Sequence, residues 1–401
     1  MTNNFKSDFP IFKSNPDLVY LDSGATTHKP QSVIDSMTDM YQNSYGTVHR
    51  GIYDLSVKAT QAYNNARKAV QQYINAESDT NIIFTRGTTS SINLAAFGYA
   101  QHNLTQGDEI LITEIEHHAN FVPWQQLAKQ VGAVVKYAPI EDDGSFDLDK
   151  FTALITPKTK VIAVTHISNV LGTILPVADI VNMAKEKGIV TLIDGAQAVA
   201  HQSLDIQALD PDFYCFSGHK MYGPTGIGVL YASERVINAM QPITFGGDMI
   251  ESVSKEGTTF AQPPLCFEAG TPPIVEAIGL HAAIEYIQHV GLDTIHNIES
   301  ELTQIALKAF DDFGGLDIIG RAKVRSSAIA FNLRGVHAHD LGTVLDNEGV
   351  AVRVGHHCAQ PTMARFNLPA TARVSFGVYN TKDDINACMA ALQSAKGLFG
   401  V

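Results

Sequence analysis

The sequence has few basic residues, no long apolar run and few cysteines, and each shortage excludes a class of protein. Among 401 residues, 28 Lys and Arg face 41 Asp and Glu, which gives a net charge of −13. Because an acidic chain without a Lys/Arg-rich run repels phosphate, no nucleic-acid partner is expected. No stretch reaches the ~18 apolar residues of a membrane helix, and charges interrupt the N-terminal segment, so neither a membrane partner nor a signal segment is expected. These features predict a cytoplasmic protein.

The four cysteines, Cys215, Cys266, Cys358 and Cys388, stand apart, and no C-x-x-C pair occurs. A disulfide framework or a zinc knuckle is therefore not expected. Cys215 lies in an apolar strand pattern and Cys388 in a helical pattern, so core packing is the favoured interpretation of both. Cys266 is left without an assigned role.

Short β-branched runs alternate with helical patterns over the first two thirds of the chain, which predicts an α/β fold with a mostly parallel sheet covered on both faces. The runs are 81–85, 109–113, 133–137, 160–166, 189–193, 212–216 and 227–231. Two long helices and three more strand patterns follow, at 274–290, 292–313, 328–333, 350–354 and 373–378. No linker or internal repeat separates the parts.

This pattern predicts two domains of unequal size. The expected divisions are a large α/β domain over 20–270, a connecting helix over 271–290, and a smaller α+β domain from 1–19 and 291–401. Ligands of parallel sheets bind at the carboxyl ends of the strands, so the residues that follow each run are the candidates for a site.

Two polar segments follow predicted strands and together suit pyridoxal phosphate (PLP). Asp194-Gly-Ala-Gln197 follows the run TLI, and Ser217-Gly-His219-Lys220 follows FYCF. PLP requires a lysine amine for its aldehyde and a carboxylate opposite its pyridine nitrogen. Taken alone, a lysine is more often a solvated surface residue and an aspartate a helix cap. Their shared position at strand ends favours the cofactor site.

Thr88 and Thr89 follow another run and begin a helical pattern. Hydroxyl residues at a helix N-terminus form an anion site, because free amides and the helix dipole face the ligand. A simple N-cap is the alternative. Neither GxGxxG after a strand nor GxxxxGK[ST] occurs, which argues against dinucleotide and nucleoside-triphosphate binding.

Two loops carry histidine pairs. His117 and His118 are adjacent, so their side chains cannot point the same way, and one can lie over a ring while the other faces elsewhere. His356 and His357 precede Cys358, whose thiolate would be the nucleophilic form. An inert thiol is the alternative. No metal site is expected, because neither pair has a second cluster at ligand spacing.

Together these segments resemble the class V aminotransferase-like family of fold-type I PLP enzymes, and within it the SufS-type (group II) cysteine desulfurases. The resemblance covers nearly the whole chain. It is carried by the segments YLDSGATT, RGTTSSINL, EIEHHANFVPWQ, THISNVLGT, LIDGAQ, FSGHKMYGPTGIGVLY, FEAGTP, RVGHHCAQP and ARVSF.

The resemblance implies a role for each candidate residue. Around the PLP ring it implies Lys220 on the aldehyde, Asp194 on the pyridine nitrogen, Gln197 on the ring hydroxyl and His117 stacked on the ring. The phosphate would be held by Thr88, Thr89, Ser217 and His219, and by Thr271 of a partner subunit. The substrate carboxylate would be bound by Arg373 and Asn169, and the persulfide would form on Cys358.

The reaction implied is the removal of sulfur from L-cysteine, which yields alanine, with Lys220 and His117 as proton-transfer groups. A homodimer, a SufE-like sulfur acceptor and Fe–S cluster assembly are also implied. A short loop before Cys358 implies that the acceptor docks to collect the sulfur. Selenocysteine lyase or another class V PLP lyase is the nearest alternative. A catalytically silent thiol- or metal-binding assembly module is the rival of another class.

Overall fold

The computed structural model describes residues 5–401. Residues 1–4, which the predicted smaller domain includes, lie outside the described residues. The strands are β1 Val19–Tyr20, β2 Ile82–Thr85, β3 Glu109–Thr113, β4 Val134–Ala138, β5 Thr159–Thr165, β6 Val190–Asp194, β7 Phe213–Ser217, β8 Gly228–Ala232, β9 Ile250–Val253, β10 Thr258–Phe260, β11 Leu316–Ile319, β12 Ile329–Leu333, β13 Val350–Ala351, β14 Arg353–Gly355 and β15 Thr371–Val374.

Helices occupy much of the remaining chain. They are α1 Pro10–Ser14, α2 Gln31–Asp39, α3 Asp54–Tyr73, α4 Thr88–Ala95, α5 Gln101–Asn103, α6 Val122–Val131, α7 Leu148–Ala153, α8 Val177–Glu186, α9 Ile206–Leu209, α10 Glu234–Ile237, α11 Ile274–Val290, α12 Leu292–Phe313, α13 Ala338–Asn347, α14 Gln360–Arg365 and α15 Lys382–Phe399. Within residues 5–401, no helix is both long enough and apolar enough to cross a bilayer.

A seven-stranded sheet forms the larger layer, in the order β2-β8-β7-β6-β5-β3-β4. Only β8 runs antiparallel to its neighbours, and the other pairs in the sheet are parallel. Every residue of β7 and β8 is buried, as expected of strands covered on both faces. The predicted α/β fold with a mostly parallel sheet is confirmed, and each predicted strand of this sheet matches within one residue at either end.

The smaller sheet has the order β11-β12-β15-β14 and is antiparallel throughout. Here two strand predictions were wrong in extent. The pattern at 350–354 forms two strands, because β13 pairs with β1 whereas β14 pairs with β15. The pattern at 373–378 ends early as a strand, because Ser375 turns away to donate its amide to Leu21 O at 2.8 Å.

The two predicted long helices are confirmed as α11 and α12. Helix α11 is apolar on nearly every side and packs between other helices, including α2 and α3. Helix α12 is amphipathic and buries one face against the smaller sheet. The sequence analysis did not identify α2, α3, β11 or the exposed hairpin β9–β10.

A buried ion pair joins α12 to the turn that follows β6. His201 Nδ1 lies 2.7 Å from Glu299 Oε2, and both side chains are largely buried. Burial alone would lower the pKa of His201, but the charge and hydrogen bond of Glu299 outweigh it and raise the pKa above its usual value. A raised pKa in the folded state means that the pair stabilises the protein fully below about pH 6.5, the unfolded value. This contribution is lost as the pH rises through the folded pKa.

We therefore expect His201→Gln to destabilise the protein more at pH 6 than at pH 9. At pH 6 the loss should be about 1.5–3 kcal/mol, typical of a hydrogen bond to a charged group. Urea unfolding of both proteins at the two pH values measures the difference. An equal loss at both pH values would show that the charge on His201 does not contribute.

Candidate active site

A cavity of about 240 Å³ lies at the carboxyl ends of the parallel strands β3, β5, β6 and β7. Ligands of such sheets bind at this edge. The predicted site residues that line it are Thr88, Thr89, His117, Asn169, Asp194, Gln197, Ser217, His219, Lys220, Cys358 and Arg373. Thr271 does not line the cavity and is exposed.

Lys220 lies in a 3₁₀ turn directly after β7. Thr27, which precedes α2, holds this turn at both ends. Its backbone amide donates to His219 O at 3.0 Å, and its Oγ1 accepts the Tyr222 amide at 2.8 Å. Burial lowers the pKa of Lys220, and the carboxylate of Asp194 opposes that effect only in part. A buried amine with a lowered pKa is readily neutral and therefore nucleophilic.

Asp194 ends β6 inside the cavity and is 4% exposed. One of its oxygens accepts the Ala196 amide at 3.0 Å. Burial raises the pKa of Asp194, and both this hydrogen bond and Lys220 act to lower it. The next position requires glycine, because a Cβ on Gly195 would overlap the Tyr214 ring. The carboxylate is thus fixed in direction and able to pair with a cationic nitrogen.

A cluster of hydroxyl groups lines the cavity at the start of α4. Ser217 Oγ accepts the Thr88 amide at 2.8 Å and lies 2.8 Å from Thr88 Oγ1. Thr89 follows in the first turn of α4, whose N-terminus faces this cluster. Gly228 allows the close approach, because a Cβ there would overlap the backbone of Gly87. Amides and hydroxyls at a helix start suit a phosphate group.

His117 lies after β3, and its Nδ1 accepts the Ala119 amide at 3.0 Å. In the neutral ring the proton is therefore on Nε2. Burial, followed by the nearby Lys220, lowers the pKa of His117 to about 3. The ring is neutral at physiological pH and lines the cavity.

Glu116 is a buried residue of this loop that the sequence analysis missed. Its Oε1 accepts from Thr113 Oγ1 at 2.6 Å and from the Thr165 amide at 3.0 Å, and its Oε2 accepts from Asn120 Nδ2 at 2.7 Å. These bonds tie the loop of His117 to β3 and β5. Its place directly before the histidine pair was the only signal in the sequence.

Arg373 lies on β15 and enters the cavity from the smaller sheet. One terminal nitrogen donates to Asp22 Oδ1 at 2.7 Å and the other to Asn169 O at 2.8 Å. Its Nε is buried and has no hydrogen-bond partner among residues 5–401. The guanidinium is therefore held in place with only two of its five N–H donors in use. Asp22, which holds it, was not identified from the sequence.

Cys358 is exposed and lies in the short loop between β14 and α14, at the rim of the cavity. The other three cysteines are buried, and burial raises the pKa of each thiol, to about 11 for Cys266 and about 12 for Cys388. Core packing therefore accounts for Cys215 and Cys388 as predicted, and for the unassigned Cys266. Among residues 5–401, no group of three or more His, Cys, Asp or Glu is placed to hold a metal ion.

Comparisons with known proteins agree with this geometry. A probable cysteine desulfurase of Staphylococcus epidermidis is 50% identical over 396 residues, which cover 98% of this chain and 96% of that protein. The crystal structure of the cysteine desulfurase CsdA from Escherichia coli matches with a TM-score of 0.92 and 40% identity, covering 98% of both chains.

A more distant structure shares the fold alone. A C-DES variant with glycine covalently linked to its PLP cofactor matches with a TM-score of 0.84 and 20% identity, covering 96% of this chain and 98% of that one. The family model for class-V aminotransferases matches residues 19–388. With the fold and the relatives, this match shows that the chain belongs to the class-V aminotransferase family.

Proposed function

We propose that this protein is a PLP-dependent cysteine desulfurase, which converts L-cysteine to L-alanine and leaves the sulfur as a persulfide on Cys358. The observation that carries the proposal is the combination of Lys220 and a buried Asp194 in one cavity with an exposed thiol at its rim. The first two groups suit the cofactor, and the third suits a sulfur acceptor. The similarity to desulfurases over the whole chain supports it.

The residues of the cavity fit PLP in their chemistry. Lys220 offers an amine for the aldehyde, Asp194 a carboxylate for the pyridine nitrogen, and the start of α4 an anion site for the phosphate. We assign the ring to Lys220, Asp194, Gln197 and His117, and the phosphate to Thr88, Thr89, Ser217 and His219. When bound, PLP supplies an electron sink for the carbon from which the substrate proton leaves.

Arg373 would bind the substrate carboxylate. Its guanidinium is oriented by Asp22 and by the Asn169 carbonyl, and its Nε is left without a partner among residues 5–401. The Asn169 amide donates to His357 O at 2.7 Å. We therefore assign Asn169 to the substrate site as a residue that connects Arg373 to the loop of Cys358.

Proton transfer is assigned to Lys220 and His117, both of which line the cavity. The Cys358 thiolate attacks the sulfur of L-cysteine, so that an S–S bond forms and the substrate C–S bond breaks. Alanine is complete when one proton reaches the carbon that lost sulfur and the proton removed from the α-carbon is returned to it. Because the pKa of Lys220 is lowered, this amine is more readily neutral and can accept and return a proton.

A second copy of the chain would complete the phosphate site. Thr271 is exposed and outside the cavity of its own chain. Its segment is anchored, because Glu268 pairs with Arg67 at 2.6 Å. Ile52 and Phe245 are 99% and 70% exposed, and an ion pair between Arg50 and Asp248 joins their segments. We propose that this apolar surface faces the partner in a homodimer.

We assign residues 20–270 to a large domain, 271–290 to a connecting helix, and 1–19 with 291–401 to a small domain.

The persulfide would pass to a SufE-like acceptor for Fe–S cluster assembly, as in SufS-type enzymes, because the loop of Cys358 is short. A reactive thiol requires a reducing compartment, so we assign the reaction to the cytoplasm.

We expect Cys358→Ser to retain the visible absorption of bound PLP and to lose alanine and sulfide formation from L-cysteine by about 10²-fold or more, since the nucleophile is removed. An assay of both products, with and without a SufE-like acceptor, measures this. Undiminished release would contradict the proposal. Loss with cysteine but retention with selenocysteine would identify selenium release as a separate activity.

Two further variants serve as controls. Cys266→Ala removes a thiol outside the cavity and should keep the activity. Lys220→Ala should lose both the activity and the visible absorption of the wild type. A wild-type protein that stays colourless with added PLP would instead favour a catalytically silent module.

We also expect the wild type to sediment as a dimer. Phe245→Asp should raise the dissociation constant of this dimer by about tenfold or more, because a charge buried in an apolar interface is costly. Leu398→Asp is the matched control, since Leu398 is also 70% exposed but lies in the C-terminal helix. Sedimentation equilibrium at micromolar concentration measures both. A monomeric wild type would contradict the homodimer.

A further inference from the structure

The loop of Cys358 has a conformation that its own residues disfavour. His357 and Cys358 have φ of 53° and 54°, two successive left-handed residues that are not glycine. L-residues adopt this region rarely, and it persists only where surrounding contacts impose it. The contacts around the loop therefore decide where the thiol lies.

His118 makes two of these contacts. Its backbone amide donates to Cys358 O at 2.7 Å, and its Nε2 accepts the Gln360 amide at 3.0 Å. Gln360 begins α14, and the first amides of a helix have no partner within the helix. The His118 ring thus caps the helix that follows Cys358. To accept this bond, the ring must be neutral with its proton on Nδ1.

The other side of the loop is held separately. The Asn169 amide donates to His357 O at 2.7 Å, and the His357 ring lies 2.7 Å from Thr371 Oγ1. These bonds fix the loop to the residues around Arg373. Cys358 O and the Gln360 amide are held by His118, and Thr362 Oγ1 adds a bond from the first turn of α14 to Glu114 O at 3.1 Å.

The two adjacent histidines serve different surfaces. His117 lines the cavity, whereas His118 does not, and their ring centroids are 6.4 Å apart. Burial, followed by the nearby His356, lowers the pKa of His118 and keeps the ring neutral. His118 can therefore influence a reaction in the cavity only through the residues it holds.

We propose that His118 is a positioning residue for sulfur transfer, which holds Cys358 at the cavity rim by binding Cys358 O and capping α14. It thereby fixes the loop of the nucleophile to the loop that carries His117. The proposal rests on the desulfurase function and adds a residue to it.

Two variants of different reach test the cap. In His118→Gln, the amide oxygen can take the place of Nε2 and accept the Gln360 amide. In His118→Asn the side chain is too short to do so. His337→Asn is the matched control. His337 also caps a helix, α13, since its Nδ1 accepts the His339 amide at 3.3 Å, and it does not line the cavity.

We expect His118→Asn to speed hydrogen exchange at the Gln360 amide and alkylation of Cys358 by iodoacetamide, each by about tenfold. The kcat for alanine formation should fall by about 10- to 100-fold, as misplacement by about 1 Å does. The KM for L-cysteine and the visible absorption of PLP should stay within about twofold, since the contact lies outside the cavity. His118→Gln and His337→Asn should stay close to the wild type.

Unchanged exchange and alkylation in His118→Asn would overturn the proposal, as would a His118→Gln variant equally impaired. A kcat that stays at the wild-type value while the loop is loosened would also overturn it. A wild type that forms no alanine would contradict the desulfurase function itself. Hydrogen exchange at the Gln360 amide would still show, in that case, whether His118 holds the loop of Cys358.

Discussion

The burial of an amine and a carboxylate in one cavity is the constraint on which the rest of this structure depends. Asp194 ends β6 and is 4% exposed, and Lys220 follows the neighbouring strand β7 and lines the same cavity. Burial disfavours the charged form of each group, and each favours the charged form of the other. Such a pair is costly to maintain. Thr27 holds the turn of Lys220 by hydrogen bonds to His219 O and to the Tyr222 amide, and the Ala196 amide holds the Asp194 carboxylate. Two such groups fixed in one cavity indicate a site that binds a ligand.

Loops from distant parts of the sequence hold one another around this cavity. The guanidinium of Arg373 is held by Asp22 and by the carbonyl of Asn169, whose amide in turn holds His357 O. The same loop is held on its other side by the segment after β3, which Glu116 fixes to the sheet. Substrate binding, proton transfer and sulfur capture would therefore be kept in register by backbone contacts as well as by the catalytic side chains.

The sequence predicted most of the large sheet, because buried parallel strands are continuous apolar runs whose carboxyl ends share one edge. Together with the family resemblance, it also predicted most of the polar residues that line the cavity. It failed where strands are short or exposed. The stretch 350–354 serves two sheets, and the hairpin β9–β10 has an exposed, polar pattern without a clear period. Glu116 and Asp22 were missed because a buried carboxyl residue in a loop has the same local sequence as a surface one.

The sequence by itself determined the α/β fold, the family, and the residues whose chemistry suits PLP and a sulfur nucleophile, since these depend on local patterns at strand ends. Only the tertiary structure decided that His117 lines the cavity whereas His118 contacts the loop of Cys358, and that Cys266 is buried. The reason is physical. Adjacent residues in a loop have no fixed periodicity, so the directions of their side chains are set by the segments that pack against them, here the cavity on one side and the loop of Cys358 on the other.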